Sequence, residues 1–392
     1  MKPISVYVHI PFCTIKCGYC DFNAYAGMGT LQESYFDALL REIDASRPVL
    51  SARAIATVAF GGGTPGESPP LLIGRVIAAL RDAAPVAPGA EVSLEANPGT
   101  TTGRMLQELR DAGVTRVSFG AQSFDAQELA FLDRIHSPEA ISASVRLARE
   151  AGFDDVGLDL IYAIPGQSMA SWERSLDAAL SLAPDHISTY ALTVEEGTPL
   201  ALRVDRGEVA PVDPDVAADM YERATDLLQA AGFSQYELSN WARTGHESRH
   251  NCVYWTGGDY LGLGAGAHGY LDGDRYENIA HPRDYIAAVR TGTRPIANAY
   301  TPDRATAMFD WLTLRLRLVG GFAAAEFEAR FGVSLEAAVG PVLTRARDAS
   351  VLSMEEEHVR LTRHGRLLHG ELAAELLVAL GSHSPVSSRT DQ

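Results

Sequence analysis

The chain has 392 residues, of which 46% are hydrophobic and 21% charged, and its formal net charge is −17. That length can bury a full core in one large domain, or in a large and a small one. The acidic balance and the lack of any Lys/Arg-rich run argue against a nucleic-acid partner, which needs clustered cations.

In chain order, short β-branched runs alternate with amphipathic helical patterns. "ISVYVHI" is followed by a predicted helix over 32–46, "AIATVAF" by one over 70–83, and "EVSLEA" by one over 102–112. "VTRVSFG" leads to helices across 125–151, "DVGLDLIYAI" to one over 170–182, and "HISTYAL" to one over 214–231. Strands alternating with helices at this spacing make βαβ units and a parallel sheet. The six units predict an α/β fold built on a partial (β/α)6 barrel, with an open doubly wound sheet as the alternative. In either case the chemistry belongs on the loops leaving the C-terminal ends of the strands. No apolar run reaches the roughly 18–20 residues of a membrane span. "MKPISVYVHIPF" lacks the apolar core and cleavage site of a signal peptide. A cytoplasmic chain with reduced thiols is therefore expected; a peripheral membrane contact is left open.

"PFCTIKCGYC", on the loop after the first strand, holds Cys13, Cys17 and Cys20, three of the four cysteines in the chain. In a reducing compartment a disulfide framework is a poor explanation for them. The pattern C-x3-C-x2-C has no fourth cysteine nearby, since Cys252 lies far along the chain. His9 would complete a Cys3His zinc site. Alternatively, three thiolates on a four-iron cluster leave one iron open for another ligand.

Further strand ends carry candidate groups. "FGGGTP" follows the second strand and is by itself a tight βα turn, without the spacing of a dinucleotide site. Glu95 ends the third strand in "SLEANP"; Gln122 lies in "GAQSF", with Arg134 twelve residues later. Asp159 interrupts the apolar strand "GLDLIYAI" and must be paired or face a cavity, because a lone buried carboxylate is costly.

The cysteine spacing after a first strand resembles the radical S-adenosylmethionine (SAM) superfamily, whose open iron chelates SAM. "YVHIPFCTIKCGYCDF", "FGGGTP", "GAQSF", "DLIYAIPGQ" and "YALTVEEGTP" together resemble its oxygen-independent coproporphyrinogen III oxidase-like branch, and within that the heme chaperone group. The likeness runs from residue 5 to about 380. It implies a 4Fe–4S cluster on Cys13, Cys17 and Cys20. It also implies SAM contacts at Tyr7, Tyr19, Gly62, Gly63 and Thr64, and at Glu95, Gln122, Arg134, Asp159 and Ala191. Two departures separate the chain from true oxidases. Phe22 stands where they carry a further cysteine, and the sequence begins six residues ahead of Tyr7, without their N-terminal extension.

"RHNCVYW" offers an imidazole at His250 for heme iron, flat faces at Tyr254 and Trp255, and Arg249 for a propionate. Read alone, such a histidine is more simply a hydrogen-bonded core residue. The stretch resembles the chaperone group's HNxxYW heme-binding motif, which favours heme. Cys252 occupies a variable motif position and reads as a small buried hydrophobe. His268, in the glycine-rich "YLGLGAGAHGY" expected to close the barrel mouth, has no assigned role.

Helical patterns over 303–318, 323–331 and 335–349 precede a hairpin-like "VLSMEEEHVRLT" and a final helix, the outline of a winged helix. Nine arginines and no lysine against eleven acids over 297–380 provide no cationic face for DNA. The expected organisation is a barrel at 1–235, a heme-motif and barrel-closing segment at 236–296, a helical domain at 297–380, and a disordered tail at 381–392. By resemblance, the chain binds heme, carries a SAM-binding 4Fe–4S cluster and delivers heme to an acceptor protein. The alternative is a radical SAM oxidoreductase that decarboxylates coproporphyrinogen III without oxygen.

Overall fold

A computed structural model describes residues 1–381, so the stretch expected to be a disordered tail lies, apart from Gly381, outside the described residues. The chain forms two compact units. The first comprises residues 1–234, 239–250 and 259–299; the second comprises, among the described residues, 235–238, 251–258 and 300–381.

In the first unit six parallel strands stand side by side: β1 (Lys2–Ile10), β2 (Arg53–Gly62), β3 (Val86–Ala96), β4 (Arg116–Gln122), β5 (Asp155–Tyr162) and β6 (His186–Ala191). The crossover helices are α1 (Gln32–Ala45), α2 (Pro70–Ala83), α3 (Gly103–Ala112), α4 (Pro138–Glu150), α5 (Met169–Ser181) and, after β6, α6 (Pro214–Ala230). Period-2 patterning sorts each strand into two faces. On β1, Ile4, Val6, Val8 and Ile10 are all at most 1% exposed, and Phe60, Leu94, Phe119 and Leu158 continue this apolar face across the sheet. The alternate residues Ser5, Tyr7 and His9 face the polar side chains of the other strands: Thr57 donates to Ser5, and both Ser118 and Ser188 donate to Asp159.

The sheet curls. Leu200, beyond β6, donates its backbone N–H to the carbonyl of Gly18, in the loop after β1, at 2.8 Å. A flat doubly wound sheet would hold the ends of its first and sixth strands far apart, so this contact decides for the partial barrel, with a polar lumen inside and apolar packing outside.

The segment read as closing the mouth is largely strand. Tyr260–Leu263 pairs parallel with the outer edge of β1, and His268–Leu271 and Asp274–Asn278 extend the sheet beyond it. The glycines that obscured these strands are demanded by close packing: a Cβ on Gly262 would lie 1.9 Å from the His268 carbonyl oxygen, and one on Gly269 would enter the Tyr276 ring.

The second unit has a core of Trp311, Leu312, Phe322, Phe327, Leu343 and Val359. Helices Arg304–Arg317, Ala324–Phe331 and Leu335–Asp348 precede an antiparallel hairpin, Leu352–Glu355 with His358–Leu361, and helix His369–Leu380. Phe322–Ala323 adds a third strand. This is the winged-helix outline the sequence suggested.

Candidate functional site

The first strand ends at Ile10, and the chain immediately enters the cysteine loop. Glu67 ties that loop down by accepting from both the backbone N–H and the hydroxyl of Thr14, at 2.7 and 2.8 Å. Gly18 N–H bonds the Asp133 carboxylate at 3.0 Å, fixing the loop's other end. None of the four cysteines is in a disulfide. Cys13, Cys17 and Cys20 lie within electrostatic reach of one another, and burial pushes the Cys13 thiol up to about 11. The Cys20 thiol is also raised, again chiefly by burial. Three soft donors on one loop could hold an iron–sulfur cluster, whose positive irons would reverse the thiol shift and keep the sulfurs ionised. His9 does not complete a zinc set. Its Nδ1 is 3.0 Å from the Tyr7 hydroxyl and its Nε2 is 2.8 Å from the Asn23 carbonyl oxygen, so both ring nitrogens are engaged.

A polar chain runs beside the thiols. The Cys13 sulfur is 3.4 Å from Thr64 Oγ1, which accepts from Asn97 Nδ2 at 2.9 Å. Arg134 bonds the Asn97 side-chain oxygen and the Gly120 carbonyl, and its Nη1 lies 3.6 Å from the Cys17 sulfur. Tyr19 packs on the apolar cluster of Leu132, Ile161 and Ile164 and also bonds Arg134. Asn97 and Asp133 were not singled out from the sequence. Asn97 stands only two residues after Glu95, on the same strand-end turn, and that proximity was the available signal.

The "FGGGTP" turn brings backbone to the lumen. Gly62 has φ +114°, a conformation open to glycine, and a Cβ there would strike the His9 ring. A Cβ on Gly63 would lie 2.6 Å from the Phe12 carbonyl oxygen, and one on Gly61 would lie 3.1 Å from both Glu95 Oε1 and the Tyr7 ring. Glu95 thus faces Tyr7 and the glycine turn. Its carboxyl is pushed up to about 7 by burial and by the Asp159 charge, against a stabilising hydrogen bond from Gly62 N–H. The residue still has solvent access, as expected of a group on an open lumen. Asp159 accepts from Ser188 at 2.7 Å and from Ser118 at 3.1 Å, and burial raises its carboxyl as well. The sequence expectation was that this carboxylate is paired or faces a cavity, and two serine hydroxyls partner it.

Gln122 sits at φ 65°, where the β4–β5 register shifts between Gly120 and Gln122; such a bulge re-aims a strand-end side chain. Ala191 is the exposed last residue of β6. It lies at the same sheet end as the others.

The "RHNCVYW" stretch is a short helix, α7 (Arg249–Trp255). His250 is 1% exposed, with Nδ1 2.7 Å from Thr57 Oγ1, and burial pushes its imidazole down to about 3. In this conformation it is the hydrogen-bonded core residue of the plainer reading. Glu91 accepts from the backbone N–H groups of both Arg249 and His250 at 3.0 Å. The Arg249 side chain, 56% exposed, reaches the Gly89 carbonyl at 2.6 Å. One face of Trp255 is covered by the Arg317 guanidinium at 4.3 Å. Neither Thr57 nor Glu91 stood out in the sequence. His268 is an exposed residue 3.9 Å from Glu277 whose charge also acts on the His9 imidazole, and Cys252 is half-buried.

Comparison with known proteins places this geometry. The radical SAM superfamily model matches residues 7–179, and the HemN C-terminal domain model matches 303–368. The heme chaperone HemW of Mycobacterium tuberculosis is 42% identical over 383 residues, covering 96% of this chain and 95% of its own. HemW of Escherichia coli is 35% identical, covering 97% and 99%. The chain belongs to the heme chaperone HemW family. As radical SAM proteins, members of that family carry a 4Fe–4S cluster and SAM. A solved structure, coproporphyrinogen III oxidase (HemN) from Escherichia coli, superposes with a TM-score of 0.84 over 96% of this chain and 90% of its own. At 23% identity it speaks for the fold alone. Among the described residues no helix is long and apolar enough to cross a membrane.

Proposed function

We propose that this HemW family member binds heme as cargo, holds a SAM-binding 4Fe–4S cluster at the mouth of its barrel, and delivers the heme to an acceptor protein. The observation that carries the reading is near-full-length identity of 33–42% to HemW chaperones from several bacteria, joined to three free thiols at the end of β1. Cys13, Cys17 and Cys20 are the cluster ligands in this account. When bound, the cluster supplies an open iron for SAM and an electron.

The chain's own residues do the holding. Arg134 and Thr64 place a cation and a hydroxyl beside the Cys17 and Cys13 sulfurs, partners for the thiolates that would hold a cluster. Glu95 and Asp159 turn two carboxyls toward the lumen, where a ligand bearing an ammonium and a sulfonium would neutralise their mutual repulsion. Tyr7 and Tyr19 provide aromatic walls, and Gly62, Gly63 and Thr64 provide close-approaching backbone. Gln122 and Ala191 stand at the ends of β4 and β6. Heme contacts are assigned to Arg249, His250, Tyr254 and Trp255, with His250 as iron ligand in the loaded form. The cytoplasm is the compartment that would keep the cluster thiols reduced.

The oxidase alternative is disfavoured by Phe22, which offers no sulfur at the position of the oxidase's further cysteine. Its side chain is 65% exposed. The test is to supply the anaerobically reconstituted protein with SAM, a reductant and either heme or coproporphyrinogen III. Saturable heme binding without protoporphyrinogen formation is expected. Sustained protoporphyrinogen production would replace the chaperone reading with the oxidase one.

A further inference from the structure

The heme motif presents a contradiction. An axial ligand must bring a ring nitrogen to a broad, flat cofactor, yet the His250 imidazole is 1% exposed and sits inside the barrel. The ring lies beneath Tyr7, their centroids 6.5 Å apart, and Tyr7 in turn reaches the cysteine loop through His9 and the Asn23 carbonyl. Among the groups that hold it there are two from different strands. The Thr57 hydroxyl donates to Ser5 Oγ at 2.7 Å, so it accepts from His250 Nδ1–H, and Nε2 is the ring atom that carries the lone pair. Glu91, 5% exposed, accepts from the backbone N–H groups of Arg249 and His250, fixing the first turn of α7.

We infer that Thr57 and Glu91 are positioning residues that keep His250 stowed in the barrel lumen while the chain is heme-free, and that heme loading withdraws the ring. This rests on the reading of His250 as iron ligand given above. Two features support it. The stowed tautomer is already the one that ligates metal through Nε2, with Nδ1–H given to an oxygen partner as metal-binding histidines require. The space vacated lies directly under Tyr7, so heme loading and SAM binding should be linked, each altering the other's affinity by the same factor.

A ligand that binds only a minor conformation has its affinity reduced by that conformation's population. Weakening the stow should therefore tighten heme binding, the opposite of what loss of a supporting residue does. The experiment uses the full chain, heme-free and then titrated with hemin, comparing wild type with Thr57→Val, Thr57→Ser and Glu91→Gln. In the heme-free protein, acylation of His250 by diethylpyrocarbonate, followed by peptide mass spectrometry, reads exposure directly. His186, 3% exposed, serves as the folding control.

Thr57→Val should acylate His250 about tenfold faster and bind hemin about tenfold more tightly, with an unchanged Soret band and His186 still protected. Glu91→Gln should change both in the same direction by a smaller factor, and Thr57→Ser should match wild type. Unchanged or slower His250 acylation in both Thr57→Val and Glu91→Gln, or weaker hemin binding with His186 protected, overturns the inference. Wild type that binds one heme, paired with a His250→Ala variant of identical affinity and Soret band, overturns it while leaving the chaperone reading in place. Wild type that binds no heme overturns the chaperone reading itself.

Discussion

Arg134 Nη1 lies 3.6 Å from the Cys17 sulfur, while the same guanidinium bonds the Gly120 carbonyl at 2.7 Å. One cation thus joins the cysteine loop to the end of β4, and its charge also acts on the Asp159 carboxyl.

The ligand assignment makes the first expectation. Cys17→Ala should abolish the brown chromophore and the iron and sulfide content, because two thiolates do not hold a four-iron cluster that needs three. Cys252→Ala should leave all three unchanged. Metal and sulfide analysis after anaerobic reconstitution checks this, and normal iron in Cys17→Ala would refute it.

Asp159 provides the second. It accepts hydrogen bonds from Ser118 and Ser188 and faces the lumen beside Glu95. Asp159→Ala should weaken SAM binding by about 1–3 kcal/mol, the cost of losing a partner to a polar ligand group. Isothermal titration on the cluster-loaded variant is the measurement. An unchanged affinity with an intact cluster counts against the placement.

The glycine turn provides the third. A Cβ at residue 63 would meet the Phe12 carbonyl oxygen at 2.6 Å, and Phe12 directly precedes Cys13. Gly63→Ala should cost about 1–3 kcal/mol of stability through overpacking and lower the cluster content per chain, since the displaced backbone carries a ligand. Thermal unfolding and iron analysis on the same sample read both effects; a fully loaded, equally stable variant would show that the turn tolerates a Cβ.

Much of this site was legible because its chemistry is concentrated in short stretches. The cysteine spacing, Glu95 at a strand end and an Asp inside an apolar strand each announce themselves locally. What was not legible depends on partners far apart in the chain. Thr57 and His250 are separated by 193 positions, and Glu91 and His250 by 159; nothing in either neighbourhood signals the meeting. The barrel itself rested on the contact between Gly18, in the cysteine loop, and Leu200, in the helix Pro199–Asp205, which strand periodicity cannot supply. The strands around Gly262 and Gly269 were hidden because close packing demanded glycine where strand propensity expects β-branched residues.

Acid provides the fourth expectation. The His250 imidazole falls to about 3 in the folded chain from an ordinary 6.5. Between those values the unfolded chain binds a proton that the folded chain does not, so stability falls as pH drops below about 6.5 and the loss levels off near 3. From pH 7 to pH 5 this one group should cost about 2 kcal/mol. Urea unfolding of wild type and His250→Gln at both pH values isolates it, because the other titrating groups are common to both proteins. An equal acid loss in the two would mean that His250 is not held neutral.

The most direct test of the central claim is a hemin titration of the reconstituted chain beside its Cys17→Ala variant, followed by the Soret band. The heme and cluster residues are separate in sequence, so both proteins should bind about one heme per chain with similar affinity, only the first carrying iron and sulfide in a cluster. Absence of saturable heme binding in both, or heme binding that disappears with the cluster cysteine, would contradict the assignment of this chain as a heme chaperone with two distinct sites.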